Sequence, residues 1–245
     1  MKTLKIMITL LFTSFLANTT FAEDAGTILR EMDEVLFAGE DQTSNIRMIL
    51  TDRNGNERVR EAQVWQKGSS KRLFRFTAPA AEAGIAFLSL PDDVMYLYMP
   101  AYGRERRIAS HVKNQSFAGT DFSYEDLEVE KYVNRFTPKL LEETDETYIL
   151  ELTPLPDMRS DYSKIIAHIH KTHYYPLKME SFDRGGQPFK VAEYTFRKQE
   201  DYWYTAEIKM TNLRRDHNTR MIFEGVAFDT GLDDSVFSVR NLTRH

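Results

Sequence analysis

The sequence predicts a mainly β protein: one large, curled antiparallel sheet of about eleven strands, one N-terminal helix and one long irregular insert. Three observations carry this reading. After residue 45, apolar and polar residues alternate through most of the chain, the period of a strand with one buried face. Tight-turn residues such as Asn54-Gly55, Pro91-Asp92-Asp93, Gly185-Gly186 and Glu200-Asp201 separate these runs at short spacing, as hairpins require. A helical period occurs near the start, where Ile28, Met32, Val35 and Leu36 recur at three- and four-residue steps.

Taken in order, Asp24 can cap that helix and Gly39 can stop it. Ile46, Met48 and Leu50 then alternate into the Asn-Gly turn, and a return strand spans 57–67. Leu73 to Ala78 places Phe74 and Phe76 on one face. Ile85–Leu90 and Val94–Met99 read as a hairpin. Residues 100–125 break the pattern, with Pro100, Gly103, Gly119 and a basic cluster; a loop or short helix of that length inside a β domain is uncommon and often functional. Further strands are expected at 127–135, 147–153, 163–170, 175–183, 188–198, 202–211 and 219–229. The tail Asp233–Phe237 reads as one helical turn against the sheet. A sheet this long curls, and one helix with a short insert leaves its concave face partly unfilled, a place for an apolar ligand.

The chain has 245 residues, 42% hydrophobic and 28% charged, the composition of a folded protein. Its 32 basic and 37 acidic residues exclude the basic balance of a nucleic-acid binder. The absence of cysteine excludes disulfides, thiolate metal sites and cysteine nucleophiles. Lys2 and Lys5 precede an apolar run from Ile6 to Leu16, and Thr20-Phe21-Ala22 offers a cleavage site. This is the layout of a secretory signal peptide, 1–22. The expected mature chain, 23–245, is then one domain, free in the periplasm of a bacterium.

Two segments are distinctive: Tyr98-Met99-Pro100-Ala101-Tyr102-Gly103-Arg104-Glu105-Arg106-Arg107-Ile108, and Gln115-Ser116-Phe117-Ala118-Gly119-Thr120-Asp121-Phe122-Ser123-Tyr124-Glu125-Asp126-Leu127. With Pro176-Leu177-Lys178-Met179, they resemble the outer-membrane lipoprotein-sorting protein-like family, periplasmic relatives of the LolA lipoprotein carrier. The resemblance implies an incomplete, half-open β-barrel whose open side is covered by helices, with lipid chains held between sheet and lid. It also implies a partner, an inner-membrane exporter of the resistance–nodulation–division (RND) type. No lipid-gating residue of the carrier maps onto this chain.

The candidate ligand cavity comprises Phe74, Phe76, Phe87, Leu97, Met99, Tyr148, Leu150, Met179 and Ile208, apolar side chains at strand positions, among which Met adapts to varied ligands. Arg104, Arg106 and Arg107, with Lys113 nearby, form a basic patch suited to a lipid head group or an acidic partner, since the guanidinium fork bonds two oxygens at once. Asp121, Tyr124, Glu125 and Asp126 are expected to pair with those arginines and hold the insert down. A solvated loop is the plainer reading.

His168 and His170 share a strand face, with His173 just beyond and Asp161 available, but two ligands do not make a zinc site. Alternation puts both histidines on the solvent side. Ser110-His111 and Ser116 form no recognisable nucleophilic motif. The paired carboxylates Glu125-Asp126 and Glu142-Glu143 would point to opposite faces of a strand. No cofactor and no enzymatic activity are expected. The function expected is a periplasmic carrier or chaperone for lipids or lipoproteins; the alternative is a docking or sensing module on a membrane partner.

Overall fold

The structure, a computed structural model, describes residues 23–244; the signal-peptide reading of 1–22 lies outside the described residues. Helix α1 spans Ala25–Leu36, and the Asp24 carboxylate caps it by accepting from the Thr27 amide. Ile28, Leu29 and Met32 are fully buried, so the helix exists chiefly to cover the sheet. No helix among the described residues is long and apolar enough to cross a membrane.

Thirteen strands follow: β1 Asp41–Thr51, β2 Glu57–Lys67, β3 Lys71–Ala78, β4 Ala86–Leu90, β5 Val94–Met99, β6 Arg104–Ile108, β7 Phe136–Glu143, β8 Thr147–Pro154, β9 Tyr162–His170, β10 Pro176–Asp183, β11 Pro188–Gln199, β12 Tyr202–Asn212 and β13 His217–Phe228. All belong to one antiparallel sheet in the order β6-β5-β4-β3-β2-β1-β13-β12-β11-β10-β9-β8-β7. Neighbours in sequence are neighbours in space throughout each half, as hairpin turns dictate. At the β1–β2 turn the Asp52 carboxylate accepts the amides of Asn54 and Asn56 at 2.8 and 2.9 Å, an Asx-type clasp that sets the register.

The two halves meet where β1 pairs with β13, from Gln42 opposite Phe228 to Thr51 opposite Asn218. The sheet edges are therefore β6 and β7, which are consecutive strands, and the sheet is not closed. Residues 109–135 run from one edge to the other.

This corrects the expected strand list. Arg104–Ile108 is an edge strand rather than part of the insert, and 136–143 is a strand that the sequence pattern hid. Both edges carry charge or proline, as Arg-Glu-Arg-Arg-Ile and Phe-Thr-Pro-Lys-Leu-Leu-Glu-Glu; edge strands avoid apolar alternation because it invites aggregation. Conversely, 127–135 is not a strand: Leu127 and Val129 are buried at alternate positions, but the segment belongs to the crossover, with one turn of 3-10 helix at Tyr132–Asn134.

Two apolar clusters sit on opposite faces. The larger joins α1, the crossover and the inner face of the sheet. The smaller lies outside: Leu73, Ala86, Leu88 and Tyr98 pack against Phe237 and Leu242 of the tail, where a 3-10 turn at Asp234–Phe237 precedes α2, Val239–Leu242. The tail turn thus packs where the sequence places it.

Candidate functional site: a hollow beneath the helix and the crossover

The inner face is filled unevenly. Over β3 and β4 the crossover inserts Phe117, whose ring meets Phe74, Phe76, Phe87 and Tyr124 at centroid distances of 5.3, 5.6, 5.7 and 5.9 Å. These contacts leave Phe76, Phe87 and Phe117 at most 1% exposed. Over β1 and β10–β13 the inner face mixes small residues, Ser44, Ser181 and Ala192, with larger ones such as Met179, Met210 and Met221, and Phe117 does not line this part. A cavity of about 190 Å³ remains there. Its roof is the end of α1 and the two residues after it, Val35 to Ala38, with Phe122, Leu127 and Tyr132 of the crossover; its floor includes Ile46, Val64, Ile208, Met210, Met221 and Phe223.

The roof is tied down on both sides. The Asp33 carboxylate, fully buried on α1, accepts the amides of Tyr132 and Val133 at 2.8 and 3.0 Å. Burial pushes its carboxyl up to about 6, against the lowering effect of those two bonds. Arg60 on β2 donates to the Ala118 carbonyl at 2.6 Å. Asp121 meets His217 Nδ1 at 2.6 Å and accepts the Thr219 hydroxyl at 2.8 Å. Asp126 pairs with Lys190 at 2.8 Å and accepts the Tyr162 hydroxyl. Burial raises the Asp126 carboxyl, yet Lys190 and the surrounding donors outweigh it and hold the group below the ordinary carboxylate range. Glu125 pairs with Arg135 at 3.5 Å and accepts from Ser160; here burial prevails and its carboxyl rises. Glu128 is bridged by Lys113 at 2.9 Å and Arg135 at 3.6 Å.

The sequence-derived candidates distribute as follows. Phe74, Met179 and Ile208 line the cavity. Phe76, Phe87, Leu97 and Leu150 are buried in the packed core, and Met99 packs against it half-buried. Tyr148 stacks on Tyr174 at 6.2 Å, and both hydroxyls donate to the Glu23 carboxylate at 2.9 Å, an anchor for the start of α1. Burial, and then that carboxylate, push both phenols up.

The basic patch divides. On β6, Arg104 and Arg106 stand opposite Met99 and Leu97, while Arg107 stands opposite Tyr96, so strand alternation sends Arg107 to the other face. All three are exposed and none lines the cavity. Lys113 is not part of the patch, being buried between Glu128 and Asp93. The expected pairing of Asp121, Glu125 and Asp126 with these arginines does not occur; their partners are His217, Arg135 and Lys190. Glu125 and Asp126 do converge on the cavity, because they lie in the crossover rather than on a strand.

His168 meets Glu180 at 3.3 Å, while His170 Nδ1 accepts the amides of Thr172 and His173 in the following turn. Among the described residues no three potential ligands gather around a metal position. Ser110 donates to Asp93 and Ser116 to the Thr120 carbonyl. Glu143 pairs with Lys171 at 2.6 Å.

Sequence reasoning passed over Arg72, Tyr132 and Tyr194, which all line the cavity. Arg72 donates to the Gln66 side chain from Nε and Nη2 at 3.0 and 2.5 Å, and to the Leu127 carbonyl at 3.4 Å. The hydroxyls of Tyr132 and Tyr194 both point at the Met179 sulfur, at 3.5 and 3.6 Å. One signal was available: Arg72 alternates with Phe74 and Phe76, so a cation sits on the inward face of β3.

The fold recurs in known structures. An outer membrane lipoprotein-sorting protein domain assigned in Vibrio parahaemolyticus superposes with a TM-score of 0.83 at 28% identity, covering 90% of this chain and 98% of that one. A DUF1329 family protein from Desulfovibrio piger gives 0.83 at 25% identity, covering 89% and 97%. A LolA superfamily protein from Nitrosomonas europaea gives 0.75 at 23% identity, covering 89% and 98%, which shows shared fold. No curated protein matches the sequence. A family model described as "Uncharacterized protein" matches residues 68–244. The chain therefore belongs to that family, and its fold is the one seen in the Vibrio, Desulfovibrio and Nitrosomonas structures.

Proposed function

We propose that the protein is a periplasmic carrier or chaperone that holds the acyl chains of a lipid or lipoprotein in the hollow half of its sheet. The observation that carries this reading is the unfilled inner face beneath α1 and the crossover, walled by Ile46, Met210, Met221 and Phe223. A folded core normally packs to crystal-like density, so an apolar space left open inside it is a place for a guest. Moving an acyl chain of about fifteen methylenes through water exposes about 12 kcal/mol of apolar surface, at roughly 0.8 kcal/mol per methylene, and a carrier that shields the chain removes most of that barrier. Such a protein needs no catalytic group. An inner-membrane RND-type exporter is the partner we propose from the family resemblance.

Native mass spectrometry of protein taken directly from periplasm, followed by lipid extraction, tests the reading. We expect a stoichiometric lipid adduct that delipidation removes and added acyl ligand restores. Absence of any adduct, together with failure of the delipidated protein to bind any acyl chain, overturns it.

A second reading, a docking module on a membrane partner, is favoured by one observation. Arg104, Arg106 and Arg107 lie exposed on the open edge strand β6, and none makes an ion pair among the described residues. A docking surface there is compatible with carriage.

A further inference from the structure

The polar groups of the cavity wall are not evenly satisfied. Its carboxylates Glu125, Asp126 and Glu128 each have a cation at 3.6 Å or less, and Glu130 accepts from Asn134 and the Lys131 amide. Arg72 has no carboxylate within ion-pair reach among the described residues; its partners are one neutral amide oxygen and one distant carbonyl. The Tyr132 phenol lies close enough for the two groups to act on each other electrostatically, and Tyr132 and Tyr194 are coupled in the same way. Each tyrosine spends its hydroxyl proton on the same thioether sulfur, a weak acceptor. A guanidinium held only by a neutral amide oxygen and a distant carbonyl, and two phenols held only by a thioether, thus line the same hollow, with no carboxylate paired to any of the three among the described residues. A buried guanidinium without a counter-charge and phenols bonded only to sulfur leave stabilisation that an anionic guest can supply.

We propose that Arg72, Tyr132 and Tyr194 form an anion cradle inside the cavity, and that the guest is an amphiphile whose acidic head group, carboxylate or phosphate, sits there. Its chain then lies along the apolar floor at Ile46, Ile208, Met221 and Phe223. This rests on the acyl-carrier reading and adds to it a head-group class and an orientation. Charge-assisted bonds from Arg to a carboxylate or phosphate are about twice as strong as neutral ones, and the low dielectric around the site strengthens them further. Arg72 remains a cation there: burial lowers its pKa, but only to about 10. Tyr132 remains a neutral donor, its phenol pushed up to about 12 by burial. The exposed arginines of β6 are not needed for head-group reading on this view, and their replacement leaves chain selectivity unchanged.

The test is competitive displacement of a fluorescent fatty acid from the delipidated full chain by four single-chain competitors: palmitate, lysophosphatidic acid, hexadecanol and monopalmitoylglycerol. The wild type is expected to prefer the two acids over the two neutral chains by ten-fold or more, and the ratio between palmitate and lysophosphatidic acid identifies carboxylate or phosphate as the head. Arg72→Gln should bring the acid-to-neutral ratio close to one while neutral chains bind as before. Tyr132→Phe and Tyr194→Phe, which remove only a hydroxyl, should each lower that ratio several-fold with unchanged melting, and they decide the matter if the Arg72 variant fails to fold. Equal binding of acids and neutral chains by the wild type overturns the cradle but leaves the carrier standing. Binding of no chain at all overturns the carrier reading and the cradle with it.

Discussion

The two halves of the inner face differ in a single design choice. Over β3 and β4, Phe117 descends from the crossover into a nest of aromatic rings and leaves Phe76 and Phe87 almost fully buried. Over β1 and β10–β13 the small residues Ser44, Ser181 and Ala192 stand among larger ones such as Ile46, Ile208, Met210 and Met221, and the roof residues Val35, Leu36 and Phe122 border an open space. On the proposed carrier reading, the same curled sheet is a scaffold in one half and a container in the other. The difference teaches that dense packing and open space are spatially separated here: the packed half can hold the curl of the sheet, and on the proposed reading the hollow half receives the guest.

The sharpest way to break that division is to hollow the packed half. Phe117→Ala should cost about 3–5 kcal/mol, the range for a fully buried Phe whose site cannot collapse, read as a lower denaturant midpoint. Ile208→Ala, in the cavity wall and already short of neighbours on one side, should cost less than half as much by the same measurement. Equal costs would mean the two halves are packed alike.

Next in size is the tie between helix and roof. Asp33→Ala leaves the Tyr132 and Val133 amides without their acceptor, at about 1–3 kcal/mol for each orphaned buried group. Hydrogen exchange should show the loss concentrated at those two amides and in α1, with the Phe117 nest still protected.

The same carboxyl gives this junction a pH dependence. Its pKa is about 6 in the fold against an ordinary 3.8. The folded state thus binds the proton more tightly than the unfolded chain, and the contribution from Asp33 is fully present below the unfolded value. It is lost as pH rises through about 6. Melting between pH 4 and pH 7 should carry this falling component in the wild type, and Asp33→Asn should flatten it.

Filling the hollow should sharpen the contrast. Ala192→Phe projects a ring into the cavity and is expected to weaken acyl-chain binding by ten-fold or more with little change in melting. Ala62→Phe places the same ring in the closed half, next to Phe76, and should destabilise by about 1–3 kcal/mol through overpacking while the surviving fold binds normally.

The smallest effect on the fold belongs to the edge. Replacing Arg104, Arg106 and Arg107 with Glu should change stability by less than about 0.5 kcal/mol, as for exposed sites generally, while reducing capture of a membrane partner. A large loss of stability would show that β6 is held by these side chains rather than by its ladder to β5.

Much of this was legible beforehand because local rules act locally. The Asn54-Gly55 turn, the alternation of Phe74 with Phe76 and of Ile165 with Ala167 and Ile169, and the Asp24 cap all announce their elements within a few residues. Strands β6 and β7 were missed because edge strands carry charge where inner strands carry apolar residues. The stretch 127–135 was misread because Leu127 and Val129 alternate while being buried by the crossover's path rather than by a sheet. The cavity wall was partly legible: Phe74, Met179 and Ile208 line it, whereas Phe76, Phe87 and Leu97 are equally apolar and inward but lie under Phe117 or in the packed core.

By itself the sequence determined the class of the fold, the hairpin order within each half, the N-terminal helix and the position of an irregular segment, since periodicity and turn chemistry need only neighbours along the chain. Tertiary structure alone decided that β1 pairs with β13, and hence that the sheet edges are the strands flanking the insert. Pairing across that sequence distance depends on how the whole sheet curls. The curl in turn decides which inward side chains meet a plug and which meet empty space, and it brings Arg72, Tyr132 and Tyr194, far apart in the chain, into the wall of a single cavity.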